Sequence, residues 1–354
     1  MTKANLPSAS LPVGRWILLG VFMLLVQVIL GGITRLTGSG LSITEWNVIT
    51  GILPPFNQHQ WLDEFGKYKQ TSQFHLLNPD FGLSDFKFIF FWEWLHRLWA
   101  RLIALVFLFG FGWLIWKKEI KQTMIRPLVT LFLLGAGQGA IGWIMVASGL
   151  TGDAIYVAPT RLALHFIFAL GLIAYAFWFA LQLLVPPEIR FMSRPLRKLT
   201  RIIIALLFCQ LLFGALMAGH KAAAVAPTWP TINGDWWPPT LLNKSPLFLN
   251  LIDNTISIQF IHRGLAYLLL LLTVIWTFRV YRVHSWPIAL QTFRVLPLSI
   301  LLIQVLLGIF ALSTSTSIIP NHWVLFDWVA QTHQINAMLF LLSMIYMLYL
   351  VTKA

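Results

Sequence analysis

The sequence predicts an all-α integral membrane protein in which eight transmembrane helices form two tandem, pseudo-symmetric four-helix bundles. Of the 354 residues, 58% are hydrophobic and only 10% are charged, whereas a soluble protein carries roughly a quarter charged residues. Several apolar runs exceed the ~20 residues that a helix needs to cross a bilayer. Polar motifs recur in the second half of the chain, so we predict an N-terminal half at residues 1–190 and a C-terminal half at residues 191–354.

The predicted spans follow one another in a regular order. Short basic connections alternate with connections on the opposite side, two of which are long. The spans are Trp16–Thr34, Phe88–Trp116, Leu128–Ser148, Thr160–Leu184, Ile202–Ala218, Ile258–Phe278, Phe293–Ser313 and Val329–Val351.

The charges in the connections predict the orientation. The connections on the side of the two termini hold 15 Lys or Arg and 2 acidic residues, Glu119 and Glu188. The opposite side, with its adjoining span ends, holds the other 10 basic and 10 acidic residues. Because basic connections stay in the cytoplasm, both termini are predicted to be cytoplasmic. This distribution favours membrane orientation over nucleic-acid binding as the reason for the +13 charge.

The segment before Trp16 bears on the location of the protein. It is short and leads into a span too long for a cleavable signal peptide. It is also shorter than a typical mitochondrial presequence. We therefore expect a multi-pass protein of the bacterial inner membrane.

Four histidines lie inside predicted spans at a common depth. His96, His165, His262 and His333 each follow, by about four to eight residues, the point where an even-numbered span enters from the outer side. At 1.5 Å per residue, this distance corresponds to about 6–12 Å below that side. The sequence therefore predicts one layer of four imidazoles near the outer face.

These histidines belong to an internal repeat. The His-Arg pair at 96–97 recurs at 262–263, 166 residues later, and His165 recurs as His333, 168 residues later. Each odd-numbered span carries Gln-x-x-x-Gly, which places an amide beside a notch on one helix face. The four motifs are Gln27/Gly31, Gln138/Gly142, Gln210/Gly214 and Gln304/Gly308.

The histidine layer is predicted to bind haem. A single intramembrane histidine is often only a hydrogen-bonding contact between helices, but four at one depth favour a functional role. Two imidazoles on facing helices bind haem iron axially, with the apolar macrocycle between the helices. The chain has no Cys-x-x-Cys-His motif, which indicates a non-covalent, b-type haem. Zinc or copper is less favoured because these helices offer few other ligands.

The two halves differ beside their first histidine. Glu93 precedes His96 by three residues, whereas Gln259 precedes His262 by three residues. Residues three apart share a helix face, so the N-terminal pocket is expected to contain a carboxylate and the C-terminal pocket a neutral amide. A carboxylate there suits proton transfer or the stabilisation of a developing positive charge. The alternative is that Glu93 only pairs with Arg97 and helps the bundle to fold.

Other polar residues lie near the outer side. Basic residues at span ends are candidates to bind haem propionates or to extend to the lipid headgroups. These are Arg35, Arg97, Arg161, Lys221 and Arg263. The histidines in loops or at span ends are expected to be solvated, and they are His59, His75, His220, His284 and His322.

The two long outer connections are expected to be lids. They cover 35–87 and 220–255, and long loops in a compact domain are usually functional or disordered. Tryptophans in both connections favour lids at the membrane interface. Within the first connection, 60–70 and 83–86 are predicted to form short surface helices.

The sequence resembles the haem A synthase family. The likeness rests on Thr-Arg-Leu-Thr-Gly-Ser-Gly-Leu-Ser at 34–42, Glu-Trp at 45–46 and Glu-x-x-His-Arg at 93–97. It extends over nearly the whole chain, including the eight spans, the tandem halves and the long first outer loop. The chain is most similar to the mitochondrial and proteobacterial branch, because its first outer loop lacks the cysteine pair of the other branch.

The resemblance implies a reaction and a role for each site residue. Haem A synthase oxidises the C8 methyl group of haem O to a formyl group, by successive hydroxylations and loss of water, and the product serves cytochrome oxidase. The resemblance implies that His262 and His333 hold a haem b cofactor and that His96 and His165 hold the substrate haem. It also implies that Glu93 is catalytic.

The resemblance further implies partners. These are haem O, membrane lipid and, as candidate protein partners, haem O synthase and cytochrome oxidase assembly factors; a homo-oligomer is a candidate assembly. The electron donor and the origin of the inserted oxygen are not implied. The competing interpretation is a di-haem membrane cytochrome b that only transfers electrons. A transporter with inverted repeats is disfavoured because the halves repeat in parallel.

Overall fold

The structure, a computed structural model, describes residues 10–46, 50–283, 291, 293–317 and 323–352. Within these ranges it is mainly helical, with one long irregular connection at 226–248 and a single isolated bridge between Ile232 and Asp235. The α-helices are α1 Leu11–Leu36, α2 Gln58–Tyr68, α3 Ser72–Leu77, α4 Leu83–Trp116, α5 Gln122–Ala147, α6 Pro159–Leu184, α7 Arg194–Gly219, α8 Leu249–Ile252, α9 Thr255–Tyr281, α10 Leu296–Thr314 and α11 Leu325–Leu350. Single turns of 3₁₀ helix are present at Thr50–Ile52, Pro187–Ile189, Ala222–Val225 and Ser315–Ser317.

The prediction of eight membrane spans is confirmed. Among the described residues, eight helices are long and apolar enough to cross a membrane: α1, α4, α5, α6, α7, α9, α10 and α11. Seven of the eight begin before the predicted span, whereas α10 begins at Leu296, after the predicted start at Phe293. The difference is largest for α7, which begins at Arg194 rather than Ile202. The extra turn carries basic residues, whose long aliphatic stems let the helix continue while the charged groups extend toward water.

The prediction for the first outer connection is partly wrong. Residues 60–70 do contain a short helix, α2, but residues 83–86 are the first turn of α4, and α3 lies between them. The N-cap residues Asn57 and Thr71 accept hydrogen bonds from the first turns of α2 and α3, which explains where both begin. The apolar side chains of Phe86 and its neighbours continue α4 because they are buried against α2.

This small outer layer is fixed by an aromatic cluster. The Phe86 ring stacks on Phe65 and Tyr68, at centroid distances of 5.1 and 5.4 Å. The Tyr68 hydroxyl donates to Gln73 Oε1 over 3.1 Å and accepts from Asn78 Nδ2 over 2.8 Å. Burial raises the pKa of Tyr68 to about 12, so the hydroxyl keeps its proton and donates at physiological pH. The first outer connection is therefore a packed structure.

The helix contacts support the predicted pseudo-symmetry. In the N-terminal half α1 packs on α4 and α6, and α5 packs on α6; in the C-terminal half α7 packs on α9 and α11, and α10 packs on α9 and α11. The halves meet through α6–α7, α1–α11 and α6–α11. In the repeat, α1 corresponds to α7 and α6 corresponds to α11. A twofold axis therefore relates the α6–α7 contact to the α1–α11 contact and relates the α6–α11 contact to itself. The boundary at residue 190 stays a prediction.

Amide side chains of α11 connect the two halves. Gln334 Nε2 donates to the Val28 carbonyl over 2.9 Å, and Gln331 Nε2 donates to the Ile29 carbonyl over 3.3 Å. Both amides lie over Gly32 of α1, which has no side chain to displace them. In an apolar environment such bonds fix the axial position of one helix on the other.

Close packing at the α6–α7 contact gives a test of this arrangement. A Cβ atom on Gly219 would lie 2.9 Å from the backbone Cα of Pro159. We expect Gly219→Ala to destabilise the protein by about 1–3 kcal/mol through overpacking. Gly112→Ala is the matched control because a Cβ there meets no atom within 4 Å, and it should gain up to about 1 kcal/mol of helix stability. Thermal unfolding in detergent measures both, and equal midpoints would contradict the close contact.

Candidate functional site

All four intramembrane histidines line one continuous cavity of about 1120 Å³. Its walls come from the spanning helices of both halves and are mainly apolar. The predicted layer of imidazoles is therefore assembled around a space large enough for a ligand. Cavities of this kind are the usual sites for cofactors and apolar substrates.

The first histidine lies in the notch that its neighbouring helix provides. The Gln27 amide Nε2 lies 3.1 Å from His96 Nε2 and donates to the His96 carbonyl over 3.1 Å. A Cβ atom on Gly31, one turn further along α1, would lie 3.1 Å from His96 Cε1. The absent side chain at Gly31 thus makes room for the ring, and the amide holds it.

The same arrangement recurs at the other three histidines. In each case a Gln-x-x-x-Gly motif on one helix receives a ring from the next spanning helix in the chain, with the amide nitrogen 3.1–3.3 Å from a ring nitrogen. A Cβ on each glycine would lie 2.8–3.2 Å from the ring. The sets are His165 with Gln138 and Gly142, His262 with Gln210 and Gly214, and His333 with Gln304 and Gly308. The predicted notch beside an amide is present in all four motifs.

Each half contains one pair of histidines. His96 and His165 line the cavity from the N-terminal half, and His262 and His333 line it from the C-terminal half. Each pair comes from two helices that do not pack directly on each other, α4 with α6 and α9 with α11. Two imidazoles facing a common space from separate helices is the arrangement that an axially bound haem needs.

The donor set distinguishes haem from a bare metal ion. Within the part of the chain that the structure describes, no group of three or more His, Cys, Asp or Glu side chains is placed to hold a metal ion. Zinc requires three or four protein ligands, whereas haem iron requires only two because the porphyrin supplies four nitrogens. The paired imidazoles and apolar walls therefore fit haem.

Glu93 is buried and fully hydrogen-bonded. Its Oε2 accepts from the Ser42 hydroxyl over 2.7 Å and from the Ile43 amide over 2.9 Å, and its Oε1 accepts from Arg97 over 2.6 Å. The side chain lines the cavity with His96 and is 3% exposed. The contact with Arg97, which the structural interpretation of Glu93 predicted, is thus present. Two hydrogen bonds from the first outer loop accompany it.

The corresponding position in the C-terminal half holds an amide. Gln259 accepts from Arg263 through Oε1 and donates to the Ala222 carbonyl through Nε2 over 2.9 Å. Gln259 therefore holds the second outer loop in the way that Glu93 holds the first. The carboxylate forms an ion pair with Arg97, whereas Arg263 forms no ion pair with a carboxylate within the part of the chain that the structure describes.

The arginine after each first histidine holds an outer loop. Arg97 donates to the carbonyls of Ile43 and Glu45 over 3.0 and 3.1 Å. Arg263 donates to the carbonyls of Ala226 and Thr231 over 3.2 and 3.0 Å. Neither of the two roles expected for these arginines, binding of propionates or extension to headgroups, predicted this contact.

The other basic candidates divide into two groups. Arg35 and Lys221 line the cavity, with Arg35 near the Ala218 carbonyl and the Lys221 ammonium 3.8 Å above the Tyr156 ring. Arg161 does not line the cavity and donates to the Ile144 carbonyl over 3.1 Å. A role in binding propionates is therefore compatible with Arg35 and Lys221 and is not supported for Arg161.

The loop histidines were expected to be solvated. His59 and His75 are exposed, and His59 pairs with Asp63 over 2.9 Å. The expectation is wrong for His220, which is partly buried with Nε2 2.7 Å from the Ile252 carbonyl. This contact joins the beginning and end of the second outer loop. His284 and His322 lie outside the described residues.

Both outer loops contribute to the cavity wall. The first loop contributes Trp46 and Leu77 among others, and the second contributes Ala224 and Trp229. Trp229 Nε1 donates to the Tyr267 hydroxyl over 3.1 Å, which ties that loop to α9. The loops thus cover the outer end of the cavity, as expected of lids.

Sequence reasoning assigned no role to three contacts of the site. Ser42 and the Ile43 amide bind Glu93, and Asn336 Nδ2 donates to Gln304 Oε1 over 2.8 Å and so orients the amide beside His333. Asn336 lies three residues after His333, on the same helix face, and this spacing was the available signal. Ser42 lies in a loop whose path the sequence did not define.

Comparison with known proteins places the chain in a family. Residues 14–345 match the COX15-CtaA family, which is described as "Cytochrome oxidase assembly protein". The chain belongs to this family. The match covers all eight membrane-spanning helices and nearly the full length of each, and therefore all four histidine notches.

Similar members of the COX15-CtaA family carry one name. The chain is 38% identical to "Heme A synthase" of Methylorubrum populi over 94% of this chain and 86% of the relative. It is 43% identical to "Heme A synthase" of Rhodospirillum centenum over 76% of this chain and 73% of the relative. It is 36% identical to "Heme A synthase" of Flavobacterium psychrophilum over 96% of this chain and 97% of the relative. The resemblance seen in the sequence is thus confirmed.

The contacts of Glu93 predict a measurable change in the first outer loop. Glu93→Ala removes the acceptor of the Ile43 amide, and a hydrogen bond to a charged group contributes about 1.5–3 kcal/mol. Amide hydrogen exchange in residues 38–46 should then accelerate about 10- to 100-fold, as measured by mass spectrometry. Gln259→Ala is the matched control and should accelerate exchange near Ala222 only. Unchanged exchange in 38–46 would show that Glu93 does not hold the loop.

Proposed function

We propose that this protein is a haem A synthase that converts haem O to haem A by oxidising the C8 methyl group to a formyl group. The observation that carries the proposal is the pairing of four histidine notches in two halves, with Glu93 three residues before the first histidine of one half and Gln259 at the same position in the other. Membership of the COX15-CtaA family and the name shared by its relatives support it. The methyl group, the haem assignments and the role of Glu93 go beyond what the relatives' names state.

The C-terminal half is proposed to hold the resident haem b. His262 and His333 would hold its iron, and the bound haem would supply one-electron redox chemistry. Gln304, oriented by Asn336, fixes the ring of His333. The uncompensated charge of Arg263 favours an anionic ligand nearby. This half is therefore suited to retaining a haem.

The N-terminal half is proposed to hold the substrate, haem O, on His96 and His165. The three hydrogen bonds that Glu93 accepts fix its orientation. A fixed negative charge in a dry cavity stabilises positive charge that develops on the reacting carbon, at no cost of reorganisation. Glu93 is accordingly proposed to act as an electrostatic stabiliser, since both of its oxygens are already engaged.

The proposed location is the bacterial inner membrane, with both termini in the cytoplasm and the haem sites toward the periplasm. The eight apolar helices support a multi-pass membrane protein, and the 15 basic and 2 acidic residues of the inner connections support the orientation. A cysteine introduced into the 117–121 turn should react with an impermeant thiol reagent only after the membrane is opened. Labelling of intact spheroplasts, whose inner membrane is sealed, would contradict this orientation.

Extraction of non-covalent haem tests the proposed reaction. Cells that make haem O should accumulate haem A, or its hydroxylated precursor, only when they also produce this protein, as measured by chromatography with mass detection. Glu93→Gln should reduce haem A by at least tenfold and leave haem O or the hydroxylated precursor. If cells containing the folded protein with a b-type spectrum yield only haems B and O, the protein transfers electrons only. Full conversion by Glu93→Gln would remove Glu93 from the mechanism.

A matched pair of histidine variants tests the two haem assignments. His262→Ala should abolish the b-type absorption spectrum of the purified protein, because the resident haem loses an axial ligand. His96→Ala removes the equivalent ring from the N-terminal half and should leave that spectrum intact while abolishing conversion of haem O. An unchanged spectrum in His262→Ala, or loss of the spectrum in His96→Ala, would contradict the assignment.

A further inference from the structure

The N-terminal half of the cavity is open on the side that faces the lipid. Helices α4 and α5 do not pack along one another, whereas their counterparts α9 and α10 do. Leu108 of α4 and Phe132 of α5 both line the cavity and are 53% and 52% exposed. A gap between α4 and α5 therefore connects the cavity with the surroundings of the protein.

Most of the residues that border this gap are alanine or glycine. Ala100 and Ala104 lead along α4 to Leu108 at intervals of one turn, and all three are exposed and line the cavity. A matching stripe along α5 is also exposed and also lines the cavity. It consists of Phe132, Gly135, Ala136 and Gly139. We call the space between these stripes the lateral slot.

Close helix packing does not explain the glycines. A Cβ atom on Gly135 or Gly139 would meet no atom within 4 Å, whereas one on Gly142 would lie 2.8 Å from His165. Gly142 is thus required by the histidine notch, and the other two glycines border open space. Their small size keeps the slot wide without serving a contact inside the protein.

The C-terminal half is closed at the equivalent positions. With the register set by the histidines and glutamines of the repeat, Ala104 corresponds to Leu270, Gly135 to Leu301 and Gly139 to Val305. Leu301 is 3% exposed, so the residue that replaces Gly135 is buried. The repeat therefore keeps its histidine notches in both halves but fills the slot in only one.

The wall beside the slot also contains an unsatisfied acceptor. Gln138 Oε1 is buried and, among the described residues, has no hydrogen-bond partner. Its counterpart, Gln304 Oε1, accepts from Asn336 over 2.8 Å. Phe168 stands at the position that corresponds to Asn336. The contrast is specific to this pair of amides, because the Oε1 atoms of Gln27 and Gln210 also have no partner among the described residues.

We propose that the lateral slot receives the isoprenoid chain of haem O, and that the substrate enters from the lipid through it. This rests on the proposed function. The slot begins at the level of His96 and, from Ala100 to Leu108, extends to about 18 Å from that histidine at 1.5 Å per residue. A long apolar chain lies there in contact with small residues and lipid while the ring reaches the histidine pair. Residues of both outer loops line the cavity at its outer end, which leaves the slot between α4 and α5 as the proposed entrance.

The slot can be closed with the residues that the protein uses in its other half. Gly135→Leu combined with Gly139→Val fills the α5 wall, and Ala104→Leu independently fills the α4 wall. Leu133→Phe is the control, because Leu133 is 62% exposed on α5 and does not line the cavity. The b-type spectrum of the C-terminal half reports correct folding in every variant.

Haem O binding by the purified protein in lipid vesicles measures the effect. We expect the α5 double variant and Ala104→Leu each to weaken haem O binding at least tenfold, with Leu133→Phe and the resident spectrum unchanged. Wild-type binding by both slot variants would overturn the proposal. Normal binding in vesicles with loss of product only in cells would assign the slot to a partner protein and also overturn it. Failure of the wild-type protein to bind haem O would overturn the proposed function itself, and with it the occupant of the slot.

Discussion

The structure depends on the burial of an imidazole in an apolar helix bundle. A polar ring at that depth is costly unless it has both space and a hydrogen-bond partner. One motif supplies both, because glycine makes the space and glutamine, one turn earlier, makes the contact. Each notch joins an odd-numbered span to the next even-numbered one, and it therefore fixes the axial register of α1 on α4, α5 on α6, α7 on α9 and α10 on α11.

The repeat then becomes asymmetric through a few substitutions. Glu93 and Gln259 both hold an outer loop and an arginine, so they are interchangeable as structural elements. They differ in charge: Glu93 forms an ion pair with Arg97, whereas the neutral amide of Gln259 does not neutralise Arg263. A fixed dipole beside a reacting ring suits catalysis, and an uncompensated cation suits retention of an anionic cofactor. The same scaffold thus supports two different tasks.

Much of this was predictable from local patterns. Apolar length gave the eight spans, charge gave the proposed orientation, and the spacing of histidine, glutamine and glycine gave the notches before any contact was known. The contacts of Ser42 and His220 were not predictable, because they depend on the path of loops whose sequences have no period. The gap between α4 and α5 was also missed, because hydropathy does not distinguish a small residue that packs from one that borders open space.

The position of Glu93 connects the proposed chemistry with access to the cavity. Its carboxylate holds the loop that covers the outer end, so loss of activity in Glu93→Ala would follow equally from a missing charge or from a loosened loop. Glutamine separates the two effects, because its carbonyl oxygen still accepts from Ser42 and Ile43 while the negative charge is gone. If Glu93→Gln keeps slow exchange in 38–46 and still fails to convert haem O, the charge itself is required. If activity falls only when exchange accelerates, Glu93 serves the loop and the reaction depends on a closed outer end.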